Sequence, residues 1–156
     1  MGVIDQDKCP VKTGSIYPEP YASEMAGRSS LRLGDAGNLT QFGANLVILA
    51  PGAKSSLRHW HLHEDEFVMV TVGECTLVQD QGATVMRVGD CAAFPAGNPN
   101  GHHFINHTDT EARFLVVGTK AAREVATYSD VDLKVEMGAG KARFTYKDGT
   151  DWKGPR

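Results

Sequence analysis

The sequence of 156 residues predicts an all-β fold, a double-sheet jelly roll preceded by an irregular N-terminal arm. Three observations support this prediction. Short runs rich in β-branched and aromatic residues recur from Thr40 onward, turn residues separate these runs, and helical composition is confined to residues 119–125. A jelly roll suits such a chain because it closes most of its own strand edges.

The predicted arm covers residues 1–38, where proline and glycine interrupt every candidate periodic segment. It also contains several apolar and aromatic residues, which are too many for a free tail: Ile16, Tyr17, Tyr21, Met25 and Leu31. We therefore expect the arm to pack on the barrel or on a partner subunit. The domain that follows covers residues 39–156.

The predicted strands of this domain are short and follow one another closely. They cover residues 45–50, 57–61, 66–72, 74–79, 83–88, 91–94, 102–106, 112–118, 123–128 and 142–146. Gly82 and Gly89 indicate tight turns, because glycine adopts positive φ at little cost. In the strand at 66–72, alternation predicts that Val68, Val70 and Val72 face the interior together with Glu66.

Candidate metal ligands stand on two of these strands. His59 and His61 are alternate residues of one strand, so their side chains point the same way. Glu66 begins the next strand, which is too apolar to leave a carboxylate without a partner. Imidazole plus carboxylate suits a divalent first-row metal, and the absence of cysteine from the set argues against a closed structural zinc site. A rival set of His61, His63 and Glu66 is also compatible with alternation.

The chain resembles the cupin superfamily, whose two signature motifs it matches with small insertions. The first match, at 52–73, comprises Gly52, His59, His61, Glu66 and Gly73, with one extra residue before His59. The second, at 89–106, comprises Gly89, Pro95, Gly97, His102 and Asn106, with two extra residues before the histidine. The stretches RHWHLHEDEF, GDCAAFPAG and NGHHFIN further resemble single-domain bacterial cupins called sugar-phosphate-isomerase-like.

The resemblance implies a double-stranded β-helix, the cupin jelly-roll barrel, with His59, His61, Glu66 and His102 as metal ligands. The insertion leaves His102 and His103 as alternatives for the last ligand. We favour His102 because it keeps the motif's three-residue spacing to Asn106. The resemblance also implies a homodimer.

The expected cofactor is one divalent first-row transition metal, such as Mn, Fe, Ni, Zn or Cu. An open metal site permits three functions. The first is a metal-dependent isomerase or lyase acting on a small oxygenated metabolite, such as a sugar or a hydroxy or keto acid, with Glu66 as candidate general base. The second is an iron-dependent dioxygenase, and the third is a non-catalytic ligand-binding or sensor module. We favour the first, although one fold hosts many chemistries.

Composition excludes other classes of partner. The formal net charge is −3 with both signs interspersed, so no basic patch indicates nucleic-acid binding. No apolar run is long enough to span a membrane. Three cysteines and the lack of an apolar N-terminal segment predict a cytoplasmic protein. The expected partner is a small-molecule substrate or ligand.

Overall fold

A computed structural model describes residues 2–156 and shows a nearly all-β chain, as predicted. Residue 1 of the predicted arm lies outside the described residues. The strands are β1 (Val11–Thr13), β2 (Arg28–Leu31), β3 (Phe42–Leu49), β4 (His59–His61), β5 (Glu66–Val72), β6 (Glu74–Gln79), β7 (Gly82–Arg87), β8 (Cys91–Phe94), β9 (His103–Ile105), β10 (Ala112–Thr119), β11 (Arg123–Tyr128), β12 (Lys134–Gly138) and β13 (Lys141–Thr145). A short helix, α1 (Leu33–Ala36), and 3-10 turns at Gln6–Lys8 and Ser23–Met25 complete the secondary structure. No helix among the described residues is long and apolar enough to cross a membrane.

The strands form three antiparallel sheets, which is the architecture expected of the jelly roll. The first has six strands in the order β1-β2-β3-β10-β5-β8, the second has the order β13-β12-β11-β4, and the third has the order β7-β6-β9. Strand β5 lies inside the six-stranded sheet, whereas β4 is an edge strand of the four-stranded sheet. Side chains from β4 and β5 therefore meet only because the two sheets pack against each other.

The strand predictions agree with the structure in most of the domain. Strands β5, β6, β8 and β11 have the predicted bounds to the residue, whereas β12 was not predicted. The helical composition of residues 119–125 was misleading, because Thr119 ends β10 and Arg123 begins β11. Strand β11 pairs with both β12 and β4, and this pairing outweighs a local helical preference.

The arm contains regular structure that the sequence analysis did not assign. Strand β1 pairs with β2, and β2 pairs with β3, so the arm extends the six-stranded sheet. Tyr21 and Met25 of the arm join a buried apolar cluster with Leu133 and Val135 of the domain. The arm is thus attached to the barrel both through backbone pairing and through side-chain packing. Contact with a partner subunit stays a prediction.

The main core lies between the six-stranded and three-stranded sheets. Its members come from facing strands and include Leu49, Val68, Val70, Phe104 and Phe114, each at most 2% exposed. Burying side chains of this size contributes roughly 1.5–3 kcal/mol each. We therefore expect the barrel to stay folded without an ion, because these apolar contacts do not involve the candidate metal ligands.

Val72 departs from the predicted inward alternation of β5, since its side chain is 44% exposed. On the neighbouring strand β10, Arg113 faces Val72 and Phe114 faces Val70, which leaves Thr71 as an extra residue on β5. Such a bulge interrupts the alternation of a strand. Val68 and Val70 lie before the bulge and are buried as predicted.

Gly73, at the turn between β5 and β6, is required for two reasons. Its φ of 68° lies in the left-handed region, which favours glycine. A Cβ atom at this position would also lie 2.6 Å from the carbonyl oxygen of Glu111. Gly89 makes a useful comparison, because its φ is 92° but a Cβ atom there would have no neighbour within 4 Å.

We expect Gly73→Ala to lower the free energy of unfolding by more than about 2 kcal/mol, because the backbone strain of a left-handed residue adds to the clash with Glu111. Gly89→Ala should cost only the backbone strain, about 1–2 kcal/mol. Urea denaturation of both variants measures the difference. Equal costs would show that the close approach at Gly73 is relieved without penalty.

Candidate metal centre

His59 and His61 occupy the first and last positions of β4, and their side chains lie on the same side of the strand. The strand is held by β11, with His59 opposite Tyr128 and His61 opposite Ala126. The two Nε2 atoms are 3.1 Å apart. Alternation along this short strand therefore brings both imidazoles to one point, as the sequence predicted.

Glu66 reaches the same point from the other sheet. It begins β5, where Gly118 and Phe94 are its neighbours on the adjacent strands. Its Oε2 atom is 3.3 Å from His61 Nε2, and its Oε1 atom is 3.6 Å from His102 Nε2. The carboxylate is therefore placed among the histidines.

His102 is the most buried of the candidate ligands, at 2% exposure. Its backbone pairs with that of His59 through two hydrogen bonds of 2.8 and 3.1 Å. Its ring stacks on Phe94 with centroids 3.5 Å apart, and neither ring nitrogen has a hydrogen-bond partner. The ligand atoms of His59, His61 and Glu66 all lie within 4.8 Å of one another, and His102 adjoins this trio through Glu66.

His103, the alternative to His102, faces away from the cluster. Its Nδ1 atom lies 3.0 Å from the carbonyl oxygen of Ser56. The two inserted residues before His102 are accommodated in the preceding loop. The backbone N–H of Asp80, in the turn after β6, donates to Asn100 Oδ1, and a Cβ atom on Gly101 would lie 2.0 Å from Ser129 Oγ. Of the two histidines, His102 is the one that lies beside Glu66, and its role as a ligand stays a prediction.

The rival ligand set does not assemble, because the side chain of His63 is exposed outside the cluster. The backbone N–H of His63 donates to Glu124 instead. Glu124 is 3% exposed, and its carboxylate also accepts hydrogen bonds from the N–H groups of Leu62 and Val125. It therefore fixes the turn that follows β4.

Glu64 and Glu124 form a second group around the far side of His61, with one ligand atom of each of the three residues within 4.8 Å of the others. Neither glutamate was predicted from the sequence as part of the site. Neither carboxylate accepts a hydrogen bond from His61, whose Nδ1 atom is buried without a partner, so the two glutamates lie near the ring without fixing its orientation. Glu124 stands out in the sequence as a charged residue within a predicted strand. Its proximity to His61, however, depends on the pairing of β11 with β4, which the sequence does not specify.

Protonation in the cluster is set by burial and by the carboxylate. Burial, reinforced by His61 and His102, lowers the pKa of His59 to about 3. Burial alone would lower the pKa of His61, but the neighbouring Glu66 reverses the effect and raises that pKa above its ordinary value. Burial alone would raise the pKa of Glu66, but His102 and His61 outweigh it and hold that pKa well below its usual range. His59 is therefore neutral and Glu66 ionised at neutral pH.

The hydrogen bonds of His59 also choose its tautomer. Its Nδ1 atom lies 2.9 Å from the carbonyl oxygen of Leu57, so Nδ1 carries the proton and donates it. The lone pair of His59 is then on Nε2, which faces the cluster. A backbone carbonyl that fixes the ring in this way is usual behind metal-binding histidines.

These residues fit a divalent first-row metal. Ligand atoms about 2.1 Å from a shared ion lie roughly 3 Å or slightly more from one another, as the Nε2 and carboxylate atoms do here. Both ring nitrogens of His102 are buried without a hydrogen-bond partner, and a bound ion would supply a partner for one of them. One carboxylate with neutral imidazoles is the donor set that such metals accept.

Three further residues near the cluster were missed because they belong to the arm. Lys12, Arg28 and Arg32 line the same cavity as His59, Glu66 and His102. Nothing in the sequence links residues so far apart along the chain. That Lys12 faces the cavity can be recognised only from the pairing of β1 with β2.

Comparisons with known proteins identify relatives of the chain. A family model described as the cupin domain matches residues 45–118. A crystal structure from Silicibacter pomeroyi, of a sugar phosphate isomerase from a cupin superfamily, is 57% identical over 97% of both chains with a TM-score of 0.95. A second crystal structure, described as a putative sugar phosphate isomerase from Acidithiobacillus ferrooxidans, is 25% identical over 81% of both chains. Its TM-score is 0.73. No curated protein matches the chain.

A more distant structure shares the fold alone. The polyketide cyclase RemF from Streptomyces resistomycificus is 22% identical to the chain, over 76% of this chain and 79% of that one, with a TM-score of 0.62. The same barrel therefore occurs in proteins with a quite different described activity, as is usual for a widely used fold.

We expect alanine substitution of His59, His61, Glu66 or His102 to lower metal affinity at least about a hundredfold, since even the outer partners of metal ligands are worth about 10–100-fold. Metal content of protein purified without a histidine tag, followed by competition with a chelator, measures the loss.

His63→Ala and His103→Ala are the matched controls for this experiment, because both remove a nearby imidazole that does not face the cluster. Both should keep the metal. Loss of metal in His103→Ala together with retention in His102→Ala would contradict the placement of the insertion.

Metal affinity should fall between about pH 7 and pH 5, because the metal must displace a proton from His61, whose pKa is raised above the ordinary value of about 6.5. His59 stays neutral over this range, since its pKa is about 3, and it should not add to the dependence. Below the pKa of His61 the dependence should approach tenfold per pH unit. Chelator competition across a pH series measures the slope, with circular dichroism to establish that the metal-free protein stays folded. An affinity unchanged at pH 5 would contradict the assignment of His61.

Proposed function

The chain belongs to the cupin superfamily, and from this premise we propose that it is a metal-dependent enzyme of isomerase or lyase type acting on a small oxygenated metabolite, such as a sugar or a hydroxy or keto acid. The observation that supports the proposal is that the ligand atoms of His59, His61 and Glu66 lie within 4.8 Å of one another, with His102 Nε2 3.6 Å from the Glu66 carboxylate. The relative that is 57% identical is described as a sugar phosphate isomerase, which also favours this class.

The residues that would hold the ion are His59, His61, Glu66 and His102. A bound divalent metal supplies a positive charge that stabilises negative charge developing on a substrate oxygen. The cluster opens into a cavity of about 180 Å³, which is smaller than the roughly 300–1,000 Å³ of pockets for drug-sized ligands. A substrate held entirely inside this cavity would have only a few carbon atoms, whereas the open groove of about 500 Å³ that Glu66 also lines has room for a longer one.

Two roles are open to Glu66, ligand and general base. The His61 and His102 imidazoles on either side hold its pKa well below the usual range, although burial alone would raise it. A base works best when its pKa is close to the operating pH, so an ionised carboxylate of this kind is a better ligand than a proton acceptor. Glu66 as general base stays a prediction, and its test is the comparison of Glu66→Gln with Glu66→Ala for metal content and for turnover separately.

The alternative functions make different use of the same cavity. A dioxygenase would need room for dioxygen beside the substrate, and a binding module would need no reaction at all. No contact in the site favours either over the isomerase or lyase. A reaction that changes the substrate in the absence of dioxygen therefore distinguishes the isomerase or lyase from both alternatives.

A homodimer is a further part of the proposal. Phe42 and Phe67 are each 41% exposed and line one open groove on the six-stranded sheet with Val117. Apolar side chains grouped in this way mark an association surface. Light scattering should give about twice the chain mass of 16.9 kDa, and Phe67→Glu should halve it. A monomeric wild-type protein would contradict this part.

We also propose that the protein is located in the cytoplasm, and cell fractionation tests this localisation.

Turnover should be observed under nitrogen with the metal-loaded protein. In deuterium oxide, a panel of aldoses, ketoses and hydroxy or keto acids should show isomerised or eliminated product, or deuterium at the carbon beside the carbonyl group, by NMR. His59→Ala should reduce the rate at least a hundredfold through loss of the metal, whereas His63→Ala should leave it unchanged. Reaction only with consumption of dioxygen would indicate a dioxygenase. Ligands retained without change would indicate a binding module.

A further inference from the structure

The cavity that contains the candidate metal ligands has a second, cationic part. Its lining includes Lys12 from β1, Arg28 from β2 and Arg32 just after β2, together with His59 and Glu66. All three cations come from the arm, outside both cupin motifs. The structure thus places a group of positive charges in the same small space as the metal centre.

Strand β1 reverses the usual distribution of polar and apolar side chains. Val11 is 62% exposed, whereas Lys12 is half-buried. Lys12 lies opposite Ser30, which is 2% exposed and in turn lies opposite the core residue Val47. Lys12 therefore occupies a position on the inward face of the extended sheet, where a packing role alone would favour an apolar residue.

Arg28 repeats this pattern on β2. It lies opposite the fully buried Leu49, so it also faces inward. One of its terminal nitrogens, Nη1, donates to the carbonyl oxygen of Gly14 at 3.0 Å, but the buried Nε atom has no hydrogen-bond partner. A buried donor without a partner costs about 1–3 kcal/mol. A bound anion would give this donor the partner that the protein does not supply.

Two of the three cations, Lys12 and Arg28, are not neutralised by a carboxylate of the described residues. Among the ion pairs of residues 2–156, neither Lys12 nor Arg28 has a carboxylate partner, and Arg32 is paired with Asp35. Glu66, a carboxylate in the same cavity, is engaged with His61 and His102. Burial, with Arg28 and Arg32 nearby, lowers the pKa of Lys12, as expected where like charges lie close together.

We propose that Lys12, Arg28 and Arg32 bind an oxyanion group of the substrate, a phosphate or a carboxylate, while the hydroxyl or carbonyl oxygens of the same molecule face His59, Glu66 and His102. Arginine suits this role because its planar donors match the geometry of phosphate and carboxylate oxygens. The inference rests on the proposed function and narrows its substrate to anionic compounds. It also means that three residues of the arm would contact the substrate directly.

Three related probes test the charge requirement. Glycerol, glycerate and glycerol 3-phosphate share a three-carbon hydroxylated frame and differ mainly in their anionic group. Isothermal titration calorimetry with the full-length protein should detect binding of at least one of the two anions and no binding of glycerol at the same concentration. The tighter anion identifies carboxylate or phosphate as the recognised group. Equal binding of all three probes, or of none, would overturn the proposal.

The variants Arg28→Gln and Lys12→Gln test the residues. Each should weaken binding of the preferred anion about tenfold or more, because each removes a charge-assisted contact. Lys8→Gln is the matched lysine control, since Lys8 lies in the same arm with an 83% exposed side chain. Arg87→Gln is the arginine control, since the side chain of Arg87 is 69% exposed on β7. Both controls should bind the anion as the wild type does.

Melting temperature without ligand separates binding from a structural role. Removing one of several crowded positive charges relieves repulsion, so Lys12→Gln should melt no lower than the wild type. It should nevertheless lose most of the stabilisation that the anion gives. A variant that melts lower but binds the anion normally would show that Lys12 supports the fold alone, and the proposal would be wrong.

The same titrations repeated on chelator-treated protein and on His59→Ala distinguish this inference from the proposed function. Anion binding that depends on Arg28 but persists without metal would support the cationic site even if no turnover were found. Turnover that depends on metal but is equally fast with neutral and anionic substrates would overturn the cationic site and leave the proposed function standing.

Discussion

The arrangement of the site depends on one carboxylate, largely shielded from solvent, between two sheets. Glu66 comes from the six-stranded sheet and lies within 3.6 Å of both His61 and His102. An ionised carboxylate in an apolar barrel is stable only with partners of this kind. The histidines in turn are positioned by backbone pairing, His59 and His61 through β11 and His102 through His59. The packing of the sheets and the charge state of the cluster therefore support each other.

The barrel and the arm contribute different chemistry to the same cavity. The barrel supplies the candidate metal ligands from strands that are held rigidly by an apolar core. The arm supplies cations from two short strands at the edge of the sheet. A rigid barrel suits ligands that must meet at one point, because small displacements weaken a metal site. Side chains as long as lysine and arginine tolerate a more peripheral attachment, since they reach a ligand by extending.

The differences between sequence and structure have local physical causes. The alternation of β5 holds for Val68 and Val70 but ends at the bulge opposite Arg113, which leaves Val72 exposed. The helical composition of residues 119–125 was overridden because β11 pairs on both sides. In each case a partner strand, which the sequence of the segment does not specify, decided the outcome.

The sequence by itself determined the strand pattern of the barrel and the candidate ligand residues, because strand periodicity and motif spacing are local properties of the chain. It left His102 and His103 as alternatives and gave no sign that Lys12 and Arg28 share a cavity with Glu66. Only the tertiary structure shows that His102 lies beside Glu66, whereas His103 lies against the carbonyl oxygen of Ser56. The pairing of the arm with β3 likewise brought distant cations into the cavity that Glu66 lines. Contacts between residues far apart in sequence depend on how the sheets close, which no single segment encodes.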